Sequence, residues 1–127
     1  MIESIGVDIV NLERFQRILQ RWGDTFLTKV LTSHELGVCR SKKSPIPCTA
    51  ARFAVKEALY KALPEPFQKK AHWQNVEIQN NADGKPYVVC FGEMKKLSKE
   101  YYIHISISHS INSAVAMVVL EKKECER

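Results

Sequence analysis

The segment from Thr49 to Leu63 restricts the fold of this chain more than any other part of the sequence. It is fifteen residues long, rich in Ala and Leu, free of Gly and Pro, and followed by Pro64. Alanine and leucine favour a helix and proline cannot continue one, so the segment predicts a helix that ends at Leu63. At about 100° per residue, its small side chains fall on one face. That face comprises Ala50, Ala51, Ala54, Val55, Ala58 and Ala62.

Strands are predicted on both sides of this helix in the sequence. Ile5, Val7 and Ile9 alternate with other residues near the N-terminus, which indicates a strand in the first ten residues. The turn signal at 80–84 joins two further strands into a hairpin. The final strand shows little alternation, and we expect it to be buried on both faces. The predicted strands cover residues 1–10, 76–79, 85–91, 102–109 and 114–121.

Shorter helices and two loops account for the rest of the chain. Asn11 is a suitable N-cap for a helix that ends near Gly23, and Thr32 with Glu35 fits a capping box that starts another. Short helices are also expected at 26–31 and 92–101, and the loops at 40–48 and 64–73. The order of these elements predicts an α+β fold. We expect a single domain over residues 1–127, with an antiparallel sheet packed against the long central helix.

Composition excludes several classes of protein. The chain has 127 residues and a formal net charge of +5, which favours anionic partners without choosing among them. Its longest apolar stretch, Ala114 to Leu120, is far shorter than the roughly 18 residues of a membrane span. No signal peptide is visible. The four cysteines form no C-x-x-C pair, so we expect isolated thiols in a reducing cytosol and a cytoplasmic protein.

Charged residues inside apolar segments are the candidates for chemistry. Asp8 lies within an apolar strand, where it either faces solvent from a sheet edge or is held rigidly as a metal ligand or base. Glu57 and Lys61 are four residues apart at the margin of the small-residue face. They form either an ordinary ion pair or a pair that points into space left by the alanines. The strand at 102–109 carries histidine and serine on one face, either a solvated surface or a phosphate-binding strip.

Four motifs in this sequence resemble the signature of one enzyme family. They are Gly6–Val10 followed by Arg14–Phe15, then Ala51–Leu63, which is similar to the pattern F-x-x-K-E-A-x-x-K-A-L, then Asp83–Tyr87 and Ile105–Ser110. All four occur in the order and with the spacing of the family, from residue 6 to about residue 120. On these motifs the chain is identified as a member of the bacterial holo-[acyl-carrier-protein] synthases, in the 4'-phosphopantetheinyl transferase superfamily.

The resemblance implies a fold, a reaction and a set of site residues. These enzymes transfer the 4'-phosphopantetheine group of coenzyme A to a serine of apo acyl carrier protein, release adenosine 3',5'-bisphosphate and act in fatty acid biosynthesis. By resemblance, Asp8 and Glu57 hold Mg²⁺, with Mn²⁺ as an alternative, and Lys61 is a third catalytic residue near the pyrophosphate. The base for the serine proton is left open between Glu57 and a water on the metal. The residues expected to bind coenzyme A are Arg52, Gly84, Pro86, His104, Ser108 and His109.

The resemblance also implies partners. Arg14, Arg17 and Arg21 are similar to a row of arginines that docks the acidic carrier protein, although the spacing alone would equally describe a solvated helix face. Short chains of this family are trimers, so we expect a homotrimer with its site at the subunit interface. Neither a nucleic acid nor a membrane is an expected partner.

One stretch departs from the family's pattern. Where the family continues with glycines, this chain has Pro64–Glu65–Pro66, so the loop is either displaced or grips the ligand differently, through Lys69 or Lys70. Two rival hypotheses also stay open. The first is a small basic module that binds nucleic acid or an acidic protein without chemistry, although two carboxylates would not help it bind nucleic acid unless a metal lay between them. The second is a carrier-protein binder that has lost its activity.

Overall fold

A computed structural model describes residues 1–124, and the last three residues of the predicted domain lie outside this part. Its strands are β1 (Ile2–Asn11), β2 (Val76–Asn80), β3 (Pro86–Cys90), β4 (Tyr101–His109) and β5 (Ser113–Lys122), and its helices are α1 (Leu12–Val30), α2 (Ser33–Arg40), α3 (Pro45–Ala62), α4 (Glu65–Gln68) and α5 (Lys95–Glu100). Single 3₁₀ turns precede β2 and α5. None of the helices within residues 1–124 is long and apolar enough to cross a membrane.

The long helix α3 packs across an antiparallel sheet, as the sequence predicts. The sheet has three strands in the order β1-β5-β4, and β2 and β3 form a separate hairpin. On the side of the sheet that faces α3, alternate residues of the central strand β5 are fully buried. These residues are Ala114, Ala116, Val118 and Leu120. The small face of α3 packs into the same core, so the predicted α+β architecture is confirmed.

Small residues allow β1 and α3 to approach each other very closely. Gly6 of β1 lies against the backbone of Ala58, and a Cβ atom at Gly6 would overlap the carbonyl group of Ala58. Ala58 itself is fully buried. Because successive side chains of a strand point to opposite faces, Asp8 lies on the same side of β1 as Gly6 and also faces α3. The close approach therefore determines where the Asp8 carboxylate lies.

The helix boundaries follow the predicted signals with two differences. The Asn11 side chain accepts a hydrogen bond from the backbone N–H of Arg14 at 2.9 Å, and Thr32 forms the predicted capping box with Glu35. Two helical segments meet in a kink at Gly23, where φ is 53°, and together they make up α1. However, α3 begins at Pro45, inside the predicted loop, because proline is well suited to the first turn of a helix. The predicted loop after α3 contains the short helix α4.

One side of the sheet is uncovered, which corrects the prediction for the last strand. We expected β5 to be buried on both faces, but Met117 on its outer face is 44% exposed. The outward residues of β1 are exposed as well, namely Ile5, Val7 and Ile9. The reason is that α3 covers only the inner side of the sheet. Within one chain, β5 pairs with a strand along each of its edges, but only one of its faces is packed against a helix.

A buried ion pair joins α2 and α3. Lys56 is only 3% exposed, and its ammonium group donates to a Glu35 carboxylate oxygen and to the carbonyl oxygen of Val30, both at 2.7 Å. The other Glu35 oxygen accepts from the backbone N–H of Ile78 at 2.8 Å. Burial lowers the pKa of Lys56, although the charge of Glu35 opposes this shift. The pair thus ties α1, α2 and β2 to the helix that carries Glu57.

The cysteines differ from the expected isolated thiols. Cys39, at the end of α2, and Cys48, in the first turns of α3, form a disulfide whose Cα atoms lie 5.4 Å apart. Their separation of nine residues does not match a known cysteine motif, and the pairing results from the way α2 folds back onto α3. Cys90 is a free, buried cysteine.

We predict that Gly6→Ala lowers the free energy of unfolding by about 1–3 kcal/mol or more, because the added methyl group meets backbone rather than a flexible side chain. Gly37→Ala is the matched control, since its Cβ would have open space within α2. That change should raise stability by about 0.4–1 kcal/mol. Urea unfolding followed by circular dichroism measures both. Equal effects of the two substitutions would contradict the close approach.

Candidate functional site

Asp8 and Lys61 form an ion pair between the edge strand β1 and the last turns of α3. The ammonium group of Lys61 lies 3.0 Å from an Asp8 carboxylate oxygen and 3.2 Å from the carbonyl oxygen of Val7. The side chain of Asp8 is only 15% exposed. Asp8 does lie on an edge strand, but it faces α3 and is largely shielded from solvent, so the rigidly held carboxylate is the arrangement observed.

Glu57 is the second carboxylate of this group. Its pKa is raised, first because burial disfavours the charged form and second because the Asp8 charge is near, while Lys61 opposes the shift. The i,i+4 ion pair between Glu57 and Lys61 is not observed, since Lys61 turns to Asp8 instead. Two carboxylates therefore lie close enough to raise the proton affinity of Glu57. We call Asp8, Glu57 and Lys61 the charge cluster.

Glu57 also borders a mostly apolar cavity of about 280 Å³ between α3 and the segment that precedes β2. Its walls include Tyr60, Leu63, Trp73 and Met94. The segment after Leu63 is anchored through Phe67 of α4, whose ring packs edge-on against Tyr101 with centroids 6.4 Å apart. The two prolines at 64 and 66 therefore belong to a fixed helical turn. Lys69 and Lys70 are exposed beyond it, and a grip on the ligand through them remains a prediction.

A second group of predicted residues lines a cleft of about 530 Å³ at the other edge of the sheet. Arg52, Gly84, Pro86 and His109 lie along it, with Cys48, Asn80 and Ser106. Gly84 has φ 87°, a conformation that favours glycine, and its carbonyl oxygen accepts a hydrogen bond from the Asn80 side chain at 2.9 Å. We call this space the arginine cleft. Asn80 was missed as a site residue because, in the sequence, it reads only as the start of a turn.

Arg52 is the chemically informative residue of the arginine cleft. It is 7% exposed, and burial lowers its pKa, although the Glu35 charge opposes the shift. Its two terminal nitrogens donate to the side-chain oxygen of Asn80 and to the sulfur of Cys48, each at 3.1 Å. Its Nε is buried and has no hydrogen-bond partner within residues 1–124. A buried guanidinium that lacks a carboxylate partner and one acceptor is suited to binding an anion.

Two of the predicted ligand-binding residues lie elsewhere in this chain. His104 and Ser108 point to the outer, uncovered face of the sheet, where the His104 ring is 2.9 Å from a Glu121 oxygen. The charge cluster on β1 and the arginine cleft beside β4 lie at opposite edges of the sheet. One chain therefore separates the predicted residues into two groups, which we call half-sites, and His104 and Ser108 lie outside both, on the outer face of β4.

The metal-binding capacity of the site is limited to two carboxylates. Within residues 1–124, no cluster of three or more His, Cys, Asp or Glu side chains is present. Asp8 and Glu57 provide oxygen ligands, which suit a hard cation such as Mg²⁺ that completes its shell with phosphates and water. Burial and, second, the charge of Asp8 raise the pKa of Glu57, and a divalent cation would offset the charges of both carboxylates.

The three predicted docking arginines are exposed on α1. Arg17 lies 3.9 Å from Glu13 in a weak surface pair, and Arg21 stacks over the exposed ring of Trp22 at 5.2 Å. Arg14 and Arg21 have no carboxylate within 4 Å among residues 1–124. This face of α1 is therefore basic, and the exposed Trp22 ring adds an apolar surface beside Arg21.

We predict that Asp8→Asn lowers the pKa of Glu57 towards its ordinary value, because it removes the nearby negative charge, and that Lys61→Met raises it. A carbon-13 NMR titration of the Glu57 carboxyl group measures both shifts. Glu13→Gln on the exposed face of α1 serves as the control and should leave the value unchanged. An Asp8→Asn protein with an unaltered Glu57 titration would show that the two carboxylates are not coupled.

Comparison with known proteins connects this arrangement to one family. Residues 4–119 match the model of the 4'-phosphopantetheinyl transferase superfamily. A holo-[acyl-carrier-protein] synthase of Thermodesulfovibrio yellowstonii is 48% identical over 120 residues, which cover 94% of this chain and 99% of that protein. The structure resembles the crystal structure of a holo-(acyl-carrier-protein) synthase from Bacillus anthracis in complex with CoA (3',5'-ADP), with a TM-score of 0.80, 36% identity, and coverage of 97% of this chain and 99% of that one. The corresponding Neisseria meningitidis structure has a TM-score of 0.83, 30% identity, and coverage of 96% and 100%.

Proposed function

This chain belongs to the 4'-phosphopantetheinyl transferase superfamily, among the holo-[acyl-carrier-protein] synthases, and on that premise we propose how its own residues perform the reaction. The enzyme transfers phosphopantetheine from coenzyme A to a serine of apo acyl carrier protein. The serine oxygen forms a bond to the phosphorus that carries the pantetheine arm, and the bond from that phosphorus to the bridging oxygen breaks. Adenosine 3',5'-bisphosphate leaves.

The observation that carries this proposal is the buried, incompletely paired guanidinium of Arg52 beside the Gly84–Pro86 turn. Coenzyme A has a phosphate on its 3' oxygen and an adenine ring, which match a cationic donor next to an exposed backbone turn. We assign the 3'-phosphate to Arg52 and the adenine to the turn. His109 lines the same cleft and is assigned to the phosphates.

The charge cluster is assigned to the pyrophosphate. Asp8 and Glu57 would hold Mg²⁺, or Mn²⁺, which when bound offsets the negative charge on the phosphate oxygens. Lys61 is fixed beside Asp8 and supplies a positive charge, and a proton, to the oxygen that leaves with the bisphosphate. The proton of the serine hydroxyl goes to Glu57 or to a water molecule, the two acceptors left open above.

We propose that the complete site forms between subunits of a homotrimer. In support of this, the charge cluster and the arginine cleft lie at opposite edges of one sheet, with β5 between them. A single small ligand could not contact both within one chain. The outer sheet face is also apolar and uncovered, with Ile5, Val7 and Met117 exposed. A soluble monomer seldom leaves such a face to water. His104 and Ser108 lie on that face, where a neighbour's ligand could reach them.

The acidic carrier protein is assigned to α1 through Arg14, Arg17 and Arg21. Their exposure and the scarcity of nearby carboxylates leave these charges free to attract an acidic surface. We place the reaction in fatty acid biosynthesis, and a cytoplasmic location remains a prediction from the sequence alone.

We predict that this protein, incubated with apo acyl carrier protein, coenzyme A and Mg²⁺, adds the mass of one phosphopantetheine group to the carrier. Intact-protein mass spectrometry measures the gain, and a chelator should abolish it. Glu57→Gln should also abolish it, because a neutral amide is a poorer ligand for a hard cation, whereas the exposed Glu13→Gln should not. Transfer at the normal rate with a chelator or by Glu57→Gln would overturn the metal-ligand assignment. Binding of carrier protein without transfer by the unaltered protein would favour the inactive binder.

We predict that Arg14→Glu combined with Arg21→Glu raises KM for the carrier protein at least about tenfold while changing KM for coenzyme A little, since like charges would then face each other. Steady-state kinetics at two salt concentrations measure both constants. Lys96→Glu combined with Lys99→Glu, two exposed reversals on α5, controls for the change in net charge. Similar increases in both constants would argue against docking on α1.

A further inference from the structure

The disulfide between Cys39 and Cys48 lies at the arginine cleft. Cys39, near the end of α2, is fully buried, whereas Cys48 is partly exposed and lines the cleft beside Arg52. A thiol reagent can therefore reach only one of the two sulfur atoms, and it reaches that sulfur through the space assigned to the ligand.

The exposed sulfur is also a partner of Arg52. A terminal nitrogen of the guanidinium donates to the sulfur of Cys48 at 3.1 Å and to its carbonyl oxygen at 3.4 Å, and the other donates to Asn80. The position of Cys48 thus helps determine the orientation of the guanidinium. The unpartnered Nε belongs to the same group.

The disulfide additionally closes the segment that forms the rim of the cleft. Residues 40–47, between the two cysteines, run from the end of α2 into the first turn of α3. Among them, Lys42 lines the cleft, and its backbone N–H donates to the carbonyl oxygen of Cys39 at 3.1 Å. With Cys39 joined to Cys48, both ends of this basic segment are held in place.

We propose that Cys39 and Cys48 are a reversible thiol–disulfide modification site that sets the affinity of the arginine cleft for the 3'-phosphate of coenzyme A, the disulfide form binding more tightly. This inference rests on the assignment of that phosphate to Arg52. Neither cysteine belongs to the motifs through which the chain resembles its family.

The chemistry requires a dithiol as reductant. One thiolate of the dithiol attacks the accessible sulfur of Cys48, the sulfur–sulfur bond breaks, and Cys39 leaves as a thiolate that takes up a proton. The second thiol of the reductant then attacks the mixed disulfide and releases Cys48. The two protons of the dithiol end on the two cysteines, and the reductant becomes a disulfide. Oxidation by a small disulfide reverses each step.

Reduction weakens phosphate binding for two reasons. The rim segment with Lys42 loses one of its anchors, so ordering it on binding costs conformational entropy. Cys48, once free of Cys39, can also change its side-chain rotamer, so that its sulfur no longer holds the guanidinium of Arg52 in place. Fixing one long side chain corresponds to a change of about two- to tenfold in affinity.

The test uses two ligands that carry no thiol, adenosine 3',5'-bisphosphate and adenosine 5'-diphosphate, which have the same number of phosphates. Isothermal titration calorimetry measures Kd for each with the oxidised protein and with the protein reduced by dithiothreitol, and alkylation followed by mass spectrometry verifies the state of the cysteines. We expect reduction to weaken the bisphosphate about two- to tenfold and to leave the diphosphate unchanged. Equal bisphosphate affinity in both states overturns the proposal. Loss of any preference for the bisphosphate in both states instead overturns the Arg52 assignment.

The double variant Cys39→Ser with Cys48→Ser separates this site from the remaining cysteines. It should bind the bisphosphate with the affinity of the reduced protein and should not respond to dithiothreitol. Burial raises the pKa of Cys90 to about 11, so that cysteine stays a thiol near neutral pH. A response to dithiothreitol that persists in the double variant would place the effect at another cysteine and overturn the proposal.

Discussion

The close packing of β1 against α3 is the constraint on which the rest of this structure depends. Gly6 has no side chain and α3 presents alanine there, so a strand and a helix backbone come into direct contact. This contact places Asp8 against the last turns of α3, within reach of Lys61. A larger residue at either position would separate the two elements and with them the two carboxylates. The same contact between β1 and α3 therefore packs the core and places the charge cluster.

The buried charged side chains differ in whether all their polar atoms have hydrogen-bond partners. Lys56 and Glu35 have nearly complete hydrogen-bond shells, including four backbone groups, and they hold α3 against α2 and β2. Arg52, one turn earlier, is buried to a similar extent but lacks a partner for Nε. Burying an unpaired donor costs free energy, and the phosphate that we propose for Arg52 would give this guanidinium a further acceptor. The same helix thus carries one cation that is fully paired and one that is not.

Association of subunits would explain both the uncovered sheet face and the separation of the two half-sites. An edge strand with exposed Ile5, Val7 and Ile9 and an inward Asp8 has the reverse of the pattern expected for a monomer in water. Association through that face would bury the apolar residues and bring an edge that carries carboxylates towards an edge that carries Arg52. Oligomerisation would then belong to the construction of the active site.

The sequence by itself determined the elements of this fold and the identity of its motifs. Alanine-rich helix, alternating strands and capping residues are local patterns with local causes, and they correctly indicated the central helix and the hairpin, whereas the helix end expected near Gly23 is a kink within α1. It also indicated the residue types of the site, because a carboxylate within an apolar strand is unusual. Only the tertiary structure decided which charges meet. Lys61 pairs with Asp8 across 53 residues, Lys56 is buried rather than solvated, Cys39 joins Cys48, and Arg52 lies beside Asn80. Those contacts depend on how distant segments pack, and pairwise distances across a fold leave no periodic signal in a single sequence.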